Sequence, residues 1–281
     1  MLSCSTCFAR SKDSEMMRFT SLSTICEVRS ETSRRLCSSR PRNTSPLSSP
    51  YDSGPSTSDT GGQDNLPLVF RGPHGAAQPL SAQHSQSFES WLAHIPGVKV
   101  VTPGTPADAK GLLKSAIRDD NPVLMLEGEM LYNTKGEVPD EEYLIPIGKA
   151  ELKREGDHCT IVTSGKMVLA AMTAADQLAK EDIRVDVVDL RTVRPMDVEA
   201  ISHSVRKTNR AVVLEEGWEI AGIGAQAVDF IQRECFDDLD APVIRVHQAD
   251  VPMPYAKNLE KLAKPDAAKA MAAVKKVMYL E

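Results

Sequence analysis

His84 is the residue of this sequence best suited to chemistry. It lies in SAQHSQSFESW, flanked by Gln83, Ser85 and Gln86 and followed by Phe88, Trp91 and Leu92 at helical spacing. An imidazole among hydrogen-bonding side chains can transfer a proton near neutrality; it serves equally well to hydrogen-bond the start of the helix that follows. Two pairs of acids, Glu127/Glu129 and Glu215/Glu216, follow apolar runs. At strand ends of an open α/β sheet they would face the crevice where ligands bind, although an exposed strand terminus explains them too. Asp119 and Asn121, just before Pro122, offer oxygens to a hard cation and are also ordinary turn residues. Gly222, Gly224 and Ala227 spell G-x-G-x-x-A after AVVLEEG. A dinucleotide fingerprint needs its first glycine directly after the strand. Here GWEIA intervenes, so the stretch reads as a glycine-rich loop entering a helix, able at most to offer amides to an anion. His74, His94, His158, His203 and His247 show no partner pattern and are expected as surface or core residues.

The elements that would position these residues begin near Leu66. VKVVTP reads as a buried strand, PADAKGLLKSAIRD as a helix with Ala109, Leu112, Leu113, Ala116 and Ile117 on one face, and PVLMLEG as a second strand. Strand, helix and strand within about thirty residues favour a parallel crossover. A polar connector, GEMLYNTKGEVPDEEYLIPIGKAELKREGDH, follows and places a domain boundary near Lys149. Beyond it the alternation is clearer. CTIVTSG, AVVLEEG and PVIRV read as strands and VDVVDLRTVRP as a strand running into a turn, separated by helices over 166–180, DVEAISHSVRKT with Asp197 as its N-cap, and IGAQAVDFIQREC. DAAKAMAAVKKVM closes the chain as a helix. The pattern predicts a doubly wound α/β domain over residues 149–281.

Composition bounds the rest. The chain has 281 residues, 41% of them hydrophobic, and a formal net charge of -6, which leaves no electrostatic footprint for nucleic acid or an anionic membrane. No apolar run reaches the ~18 residues of a spanning helix. Residues 1–60 are Ser-, Arg- and Pro-rich without apolar periodicity, and are expected to be disordered because they cannot bury enough surface to offset chain entropy. Up to Arg42 they carry eight Lys/Arg against four acids, a composition that faintly suggests an organellar leader. Cys4 and Cys7 form a lone C-x-x-C without a second pair at zinc spacing. Cys159 and Cys235 sit in apolar runs and are expected as small core residues.

Taken together, VFRGPHGAAQPLSAQHSQSFESW, PADAKGLLKSAIRDDNPVLMLEGEMLY, VVDLRTVRPMD, KTNRAVVLEEGW and DAPVIRVHQADVPMPYAKNLE resemble the beta subunits of thiamin-diphosphate-dependent 2-oxo acid dehydrogenases. The likeness is to the pyruvate type above all, and also to the branched-chain type. It runs in order from about Gly61 to the C-terminus. It implies an incomplete pyrimidine-binding domain over 61–148, followed by a transketolase C-terminal-like domain. It further implies an α2β2 assembly with an alpha subunit, thiamin diphosphate lying between α and β, and Mg²⁺ held with the diphosphate on α. By the same resemblance His84 lines the active site and assists proton transfer as the acyl group passes to a lipoyl group. Leu68, Ala116, Ile117, Asp119 and Asn121 match positions that coordinate a structural potassium ion, K⁺, mostly through backbone carbonyls. The C-terminal domain would help dock the lipoyl-bearing acyltransferase core.

The departures are as definite as the match. The family's glutamate, which hydrogen-bonds the cofactor's aminopyrimidine ring, has no counterpart; Glu15, Glu27 and Glu31 lack the surrounding pattern. His74 and Pro79 stand where the family has Asn and Gly. The abrupt switch at Thr60/Gly61 leads to the expectation that the first ~60 residues are a truncation or an out-of-frame segment joined to a beta-subunit body. A catalytically silent fragment that keeps only the subunit- and acyltransferase-docking surfaces is the alternative function. A single-chain transketolase-like enzyme would carry its own G-D-G diphosphate motif, which is absent. Cytoplasm is expected for a bacterial chain, and the mitochondrial matrix if the tail is a leader.

Overall fold

The computed structural model describes residues 6–10, 16–19, 65–77 and 80–280. Most of the stretch expected to be disordered, Cys4, Cys26, Cys37 and the three unmatched glutamates among it, lies outside the described residues. Two short strands of it are described, β1 (Thr6–Arg10) and β2 (Met16–Phe19), paired antiparallel.

β1 lies antiparallel against β3 (Leu68–His74). β3 pairs in parallel with β5 (Val123–Gly128), Val69 opposite Val123, and β5 pairs in parallel with β4 (Lys99–Val101). Helix α2 (Pro106–Arg118) is the crossover between β4 and β5, as its periodicity predicts. Thr105 caps it by accepting from the Asp108 amide at 3.1 Å, with a proline in the first turn. Leu112 and Ala116 bury themselves against Val69, Val101, Val123 and Met125. Ile117, expected on that face, sits at its margin and is 36% exposed. Helix α1 (Glu89–Ala93) precedes β4.

The second sheet holds the core expected of it. β7 (Cys159–Thr163), β8 (Val185–Asp189), β10 (Ala211–Trp218) and β11 (Ile244–Gln248) run parallel in the order β11-β10-β7-β8. β7 and β8 are buried at every position, as strands covered on both faces must be. Helices α3 (Met167–Ala179) and α7 (Ala267–Val277) cover one face through Ala171, Leu178, Ala270 and Val274; α4 (Val198–Thr208) and α5 (Ile223–Cys235) cover the other through Ile201, Val205, Ala227 and Ile231. Asp197 caps α4, accepting from the Ala200 amide at 3.2 Å. Cys159 and Cys235 are free and buried.

Besides β1, β2 and β3, where no strand is expected from the sequence, three elements escape its pattern. β6 (Glu151–Arg154) is an antiparallel edge strand beside β8, hidden in the polar connector because its side chains are only partly buried. β9 (Thr192–Arg194) leaves the run VDVVDLRTVRP and crosses to pair antiparallel with β4 of the first sheet. That crossing stitches the two sheets together. α6 (Lys257–Ala263) is short and mostly exposed.

Candidate active site

The C-terminal ends of β3 and β5 face the C-terminal end of β10 and the start of α3. A Cβ built on Gly128, the last residue of β5, would stand 3.1 Å from Lys166 Cβ at the N-terminus of α3. Strand carboxyl ends are where open α/β sheets bind ligands. A shallow pocket of about 360 Å³ opens beside this junction, lined by Ala82, Gln86, Trp91, Trp218, Val251 and Met253 among others. Trp218 donates its indole N–H to the Val251 carbonyl at 3.0 Å, and Phe88 packs edge-on against Trp91. His84 falls between the lining residues Ala82 and Gln86 in the chain and is exposed.

The two acid pairs of the sequence separate into different duties. Glu127 is buried and held by a two-point contact from Arg71, at 2.8 and 3.0 Å, and by the Tyr132 hydroxyl at 3.0 Å. Burial and that carboxylate push the Tyr132 hydroxyl well above its usual range, so it stays a donor. Glu129 lies in a short 3₁₀ turn and takes no part. Glu216 accepts from the Ala76 amide at 2.6 Å and pairs with Lys166, whose ammonium also donates to the Ala76 carbonyl. A Cβ at Gly75 would come within 2.3 Å of that carboxylate, and the residue has a φ of +77°. Only glycine lets the chain pass there.

Glu215 answers the question of the glycine-rich run. Its carboxylate accepts from the Gly224 amide at 2.8 Å and from Arg245 at 3.1 and 2.5 Å. Cβ atoms at Gly222 and Gly224 would lie 2.5 and 2.3 Å from its oxygens. The anion at the N-terminus of α5 is therefore the protein's own side chain, and the glycines make room for it. Burial holds the Glu215 carboxyl above its usual range, against the Gly224 and Arg245 contacts that lower it.

His74, expected as an unpartnered filler, is buried beside Glu89, Nδ1 to Oε2 3.3 Å. Of the four buried glutamates at this junction, three are thus committed to a cation, Glu127 to Arg71, Glu215 to Arg245 and Glu216 to Lys166, and Glu89 faces His74. No sequence pattern announced these pairs, since each joins positions at least fifteen residues apart.

The potassium positions converge on one end of the first sheet. Ala116 and Ile117 end α2, Asp119 is its C-cap, Asn121 precedes β5, and the register that sets Val69 against Val123 puts Leu68, on the adjacent strand, at the same end. The Asp119 carboxylate is taken by Lys99 at 2.6 Å and by the Asn121 amides at 2.9 Å. Any cation here would be held mainly by backbone carbonyls at the C-terminus of α2, the negative end of its dipole, where the Ala116 carbonyl already accepts from the Asp119 amide at 3.2 Å. No cluster of acidic, His or Cys side chains suited to a metal occurs among the described residues.

Comparison with known proteins defines the class. Residues 56–135 match the pyrimidine binding domain of transketolase and residues 148–270 its C-terminal domain. A solved structure described as a split-gene transketolase, inactive beta4 tetramer, aligns with a TM-score of 0.65 and 26% identity, over 77% of this chain and 68% of that one. The chain is also 50% identical to the pyruvate dehydrogenase E1 component subunit beta of Rickettsia felis, over 78% of its own length and 68% of the relative's. It is 50% identical to that of Rhizobium meliloti over 78% of this chain, there spanning 48% of the relative, and 49% identical to the mitochondrial one of Bos taurus, spanning 63%. The chain belongs to the pyruvate dehydrogenase E1 beta-subunit family.

Proposed function

We propose that this chain serves as the β-type subunit of a pyruvate dehydrogenase, joining an α-type partner in an α2β2 assembly that decarboxylates pyruvate and passes the acetyl group to a lipoyl-bearing acyltransferase. The observation that carries the reading is the His84 segment: its Ala82 and Gln86 line the Trp91/Trp218 pocket, within the residues 56–135 that match the transketolase pyrimidine binding domain. Thiamin diphosphate, with Mg²⁺ on the partner, would supply the nucleophilic carbon and the electron sink. The contribution of this chain is on the acceptor side. An exposed imidazole can give a proton to a departing sulfur or take one from it, while Trp91, Trp218 and Met253 line a partly apolar slot fit for a lipoyl arm. Potassium would bind at Leu68, Ala116, Ile117, Asp119 and Asn121 and brace the first sheet. The eukaryotic relatives are named mitochondrial, which supports the matrix for a eukaryotic source and the cytoplasm for a bacterial one.

The described residues do not fit the ring-activating duty. Every buried glutamate at the junction already faces a basic side chain, and a carboxylate so paired is no free partner for a pyrimidine nitrogen. No step through the cofactor follows from them. That observation favours a second reading, in which the chain retains subunit and acyltransferase contacts without turnover.

Co-expression with an α-type subunit, followed by thiamin-dependent transfer of acetyl from pyruvate to a lipoyl domain, decides between them. Under the first reading His84→Ala lowers acetyl transfer by roughly 10²-fold or more while the subunits still copurify. Copurification without turnover in the unaltered chain establishes the second. Normal transfer by His84→Ala overturns the role given to this histidine.

A further inference from the structure

The connection between β3 and α1 carries His84, and its two ends are closed by side chains rather than by regular structure. His74 is the last residue of β3 and Glu89 the first of α1. Their side chains are 5% and 10% exposed and meet at 3.3 Å. Neither His74 Nδ1 nor Glu89 Oε2 has a hydrogen-bond partner of standard geometry, so each depends on the other's charge. The neighbouring contacts pin the same ends: Gly75 donates its amide to the Gln86 carbonyl at 2.8 Å, and Ala76 donates to Glu216 at 2.6 Å.

We propose that His74 and Glu89 form a buried ion pair that positions His84, clasping the two ends of its segment so that residues 80–88 are held against the pocket. The pair stands where a plain amide–carbonyl contact would have sufficed, and a buried charge left without its partner is strongly unfavourable. The clasp is therefore maintained only while both groups are ionised.

Three further charges face it: Glu216 from β10 and Lys166 from the start of α3 act on His74, while Lys166 and the Glu215 carboxylate, itself tied to Arg245, act on Glu89. Burial pulls the His74 imidazolium down, but Glu89 and Glu216 outweigh it and leave it above its ordinary 6.5. Burial likewise opposes the Glu89 carboxylate, yet the His74 charge holds it below its ordinary 4.5. A histidine that binds its proton more tightly when folded gives stabilisation that is complete below 6.5 and is lost as pH rises through the raised value; the glutamate's share is lost only on acidification below 4.5.

The role assigned to His84 rests on the proposed function; the clasp itself is tested independently of activity. Hydrogen exchange of peptides covering residues 80–88 is followed against pH in the full chain copurified with its α-type partner, after correction for intrinsic exchange. Protection is expected to be high near pH 6 and to fall on the order of tenfold or more on alkalinisation, as the pair is lost. His74→Asn and Glu89→Gln each abolish that pH step, and the His74→Asn/Glu89→Gln double variant regains pH-independent protection because no buried charge is left unpaired. In acetyl transfer the single variants lower kcat more than they raise KM. A flat pH profile in the unaltered chain, or a step that survives His74→Asn, overturns the clasp. His84→Ala separates the two ideas: unchanged turnover with an intact exchange step removes the catalytic reading and leaves the clasp standing.

Discussion

The two sheets of this molecule are held by different means. In the second, β7 and β8 are buried at every position and sandwiched between α3/α7 and α4/α5, so apolar packing dominates, with Thr160 and Asp186 tied to α4 by hydrogen bonds and the Lys207 pair. In the first, β3 is buried only at Val69 and His74, and ion pairs fix its neighbourhood: Arg71–Glu127, His74–Glu89 and Lys99–Asp119. Packing is non-directional and tolerates adjustment, whereas charge pairs fix particular atoms and titrate. The region that would do chemistry is the one held by chemistry-bearing groups.

If that contrast is right, the largest stability loss belongs to the second sheet. Leu178→Ala, at a fully buried position of α3, should cost about 2–5 kcal/mol by denaturant titration, while Val69→Ala in β3 should cost only about 1–2 kcal/mol. Equal costs would mean that the first sheet is packed as tightly as the second.

Next in size is a pH effect at the join. Asp189 ends β8, wholly buried, with its carboxyl pushed up to about 7, chiefly by burial, against Lys153, the Arg191 amide and the Arg191 charge that lower it, while the Asp108 charge also raises it. Arg191 pairs with Asp108 of α2, so the polar style of the first sheet reaches into the second here. The folded state then binds a proton that the unfolded chain releases above its ordinary 3.8, and stability should fall as pH rises from about 4 to about 7, by at most about 1.4 kcal/mol per unit, and level off above. Asp189→Asn should flatten that slope. A slope that persists in the variant assigns the titration elsewhere.

Gly224→Ala probes one of the places where the second sheet depends on a charge, the Lys207–Asp186 pair of β8 being another. The added methyl would stand 2.3 Å from Glu215 Oε1 and must displace the carboxylate from the Gly224 amide and from Arg245. About 2 kcal/mol of destabilisation is expected, with much less in a Glu215→Ala background, since residues sharing a network are not additive.

The same division governs what the sequence disclosed. The four parallel strands of the second sheet were legible, because continuous Val/Ile runs such as CTIVT and VDVVD alternate with amphipathic helices, and Asp197 caps α4 where its type and position predict. β6 was illegible because an edge strand needs no apolar run, and β9 because its pairing with β4 spans some ninety residues and depends on no local pattern. His84 and the acid pairs could be singled out by residue type. Their partners could not: nothing local links Glu215 to Arg245 or His74 to Glu89. The glycine run shows the reverse error being avoided, its spacing resembling a phosphate loop while its space is filled by Glu215.

The smallest effect sharpens the contrast most directly. Five positions at the end of α2 and the base of β3 and β5 are expected to hold potassium through carbonyls, and they belong to the first sheet alone. Exchanging potassium for choline in the purified complex should withdraw a stabilisation of about 1–3 kcal/mol if the ion is present well above its dissociation constant. Because Asp119 is bound to Lys99 and Asn121 rather than left for the ion, Asn121→Ala should weaken the potassium response by loosening the turn, without removing a charge. The loss should appear as faster amide exchange over residues 116–123, with the second-sheet strands unchanged. Uniform loosening of both sheets would show that the ion acts on the whole molecule, and the separation of the two regions drawn above would fail.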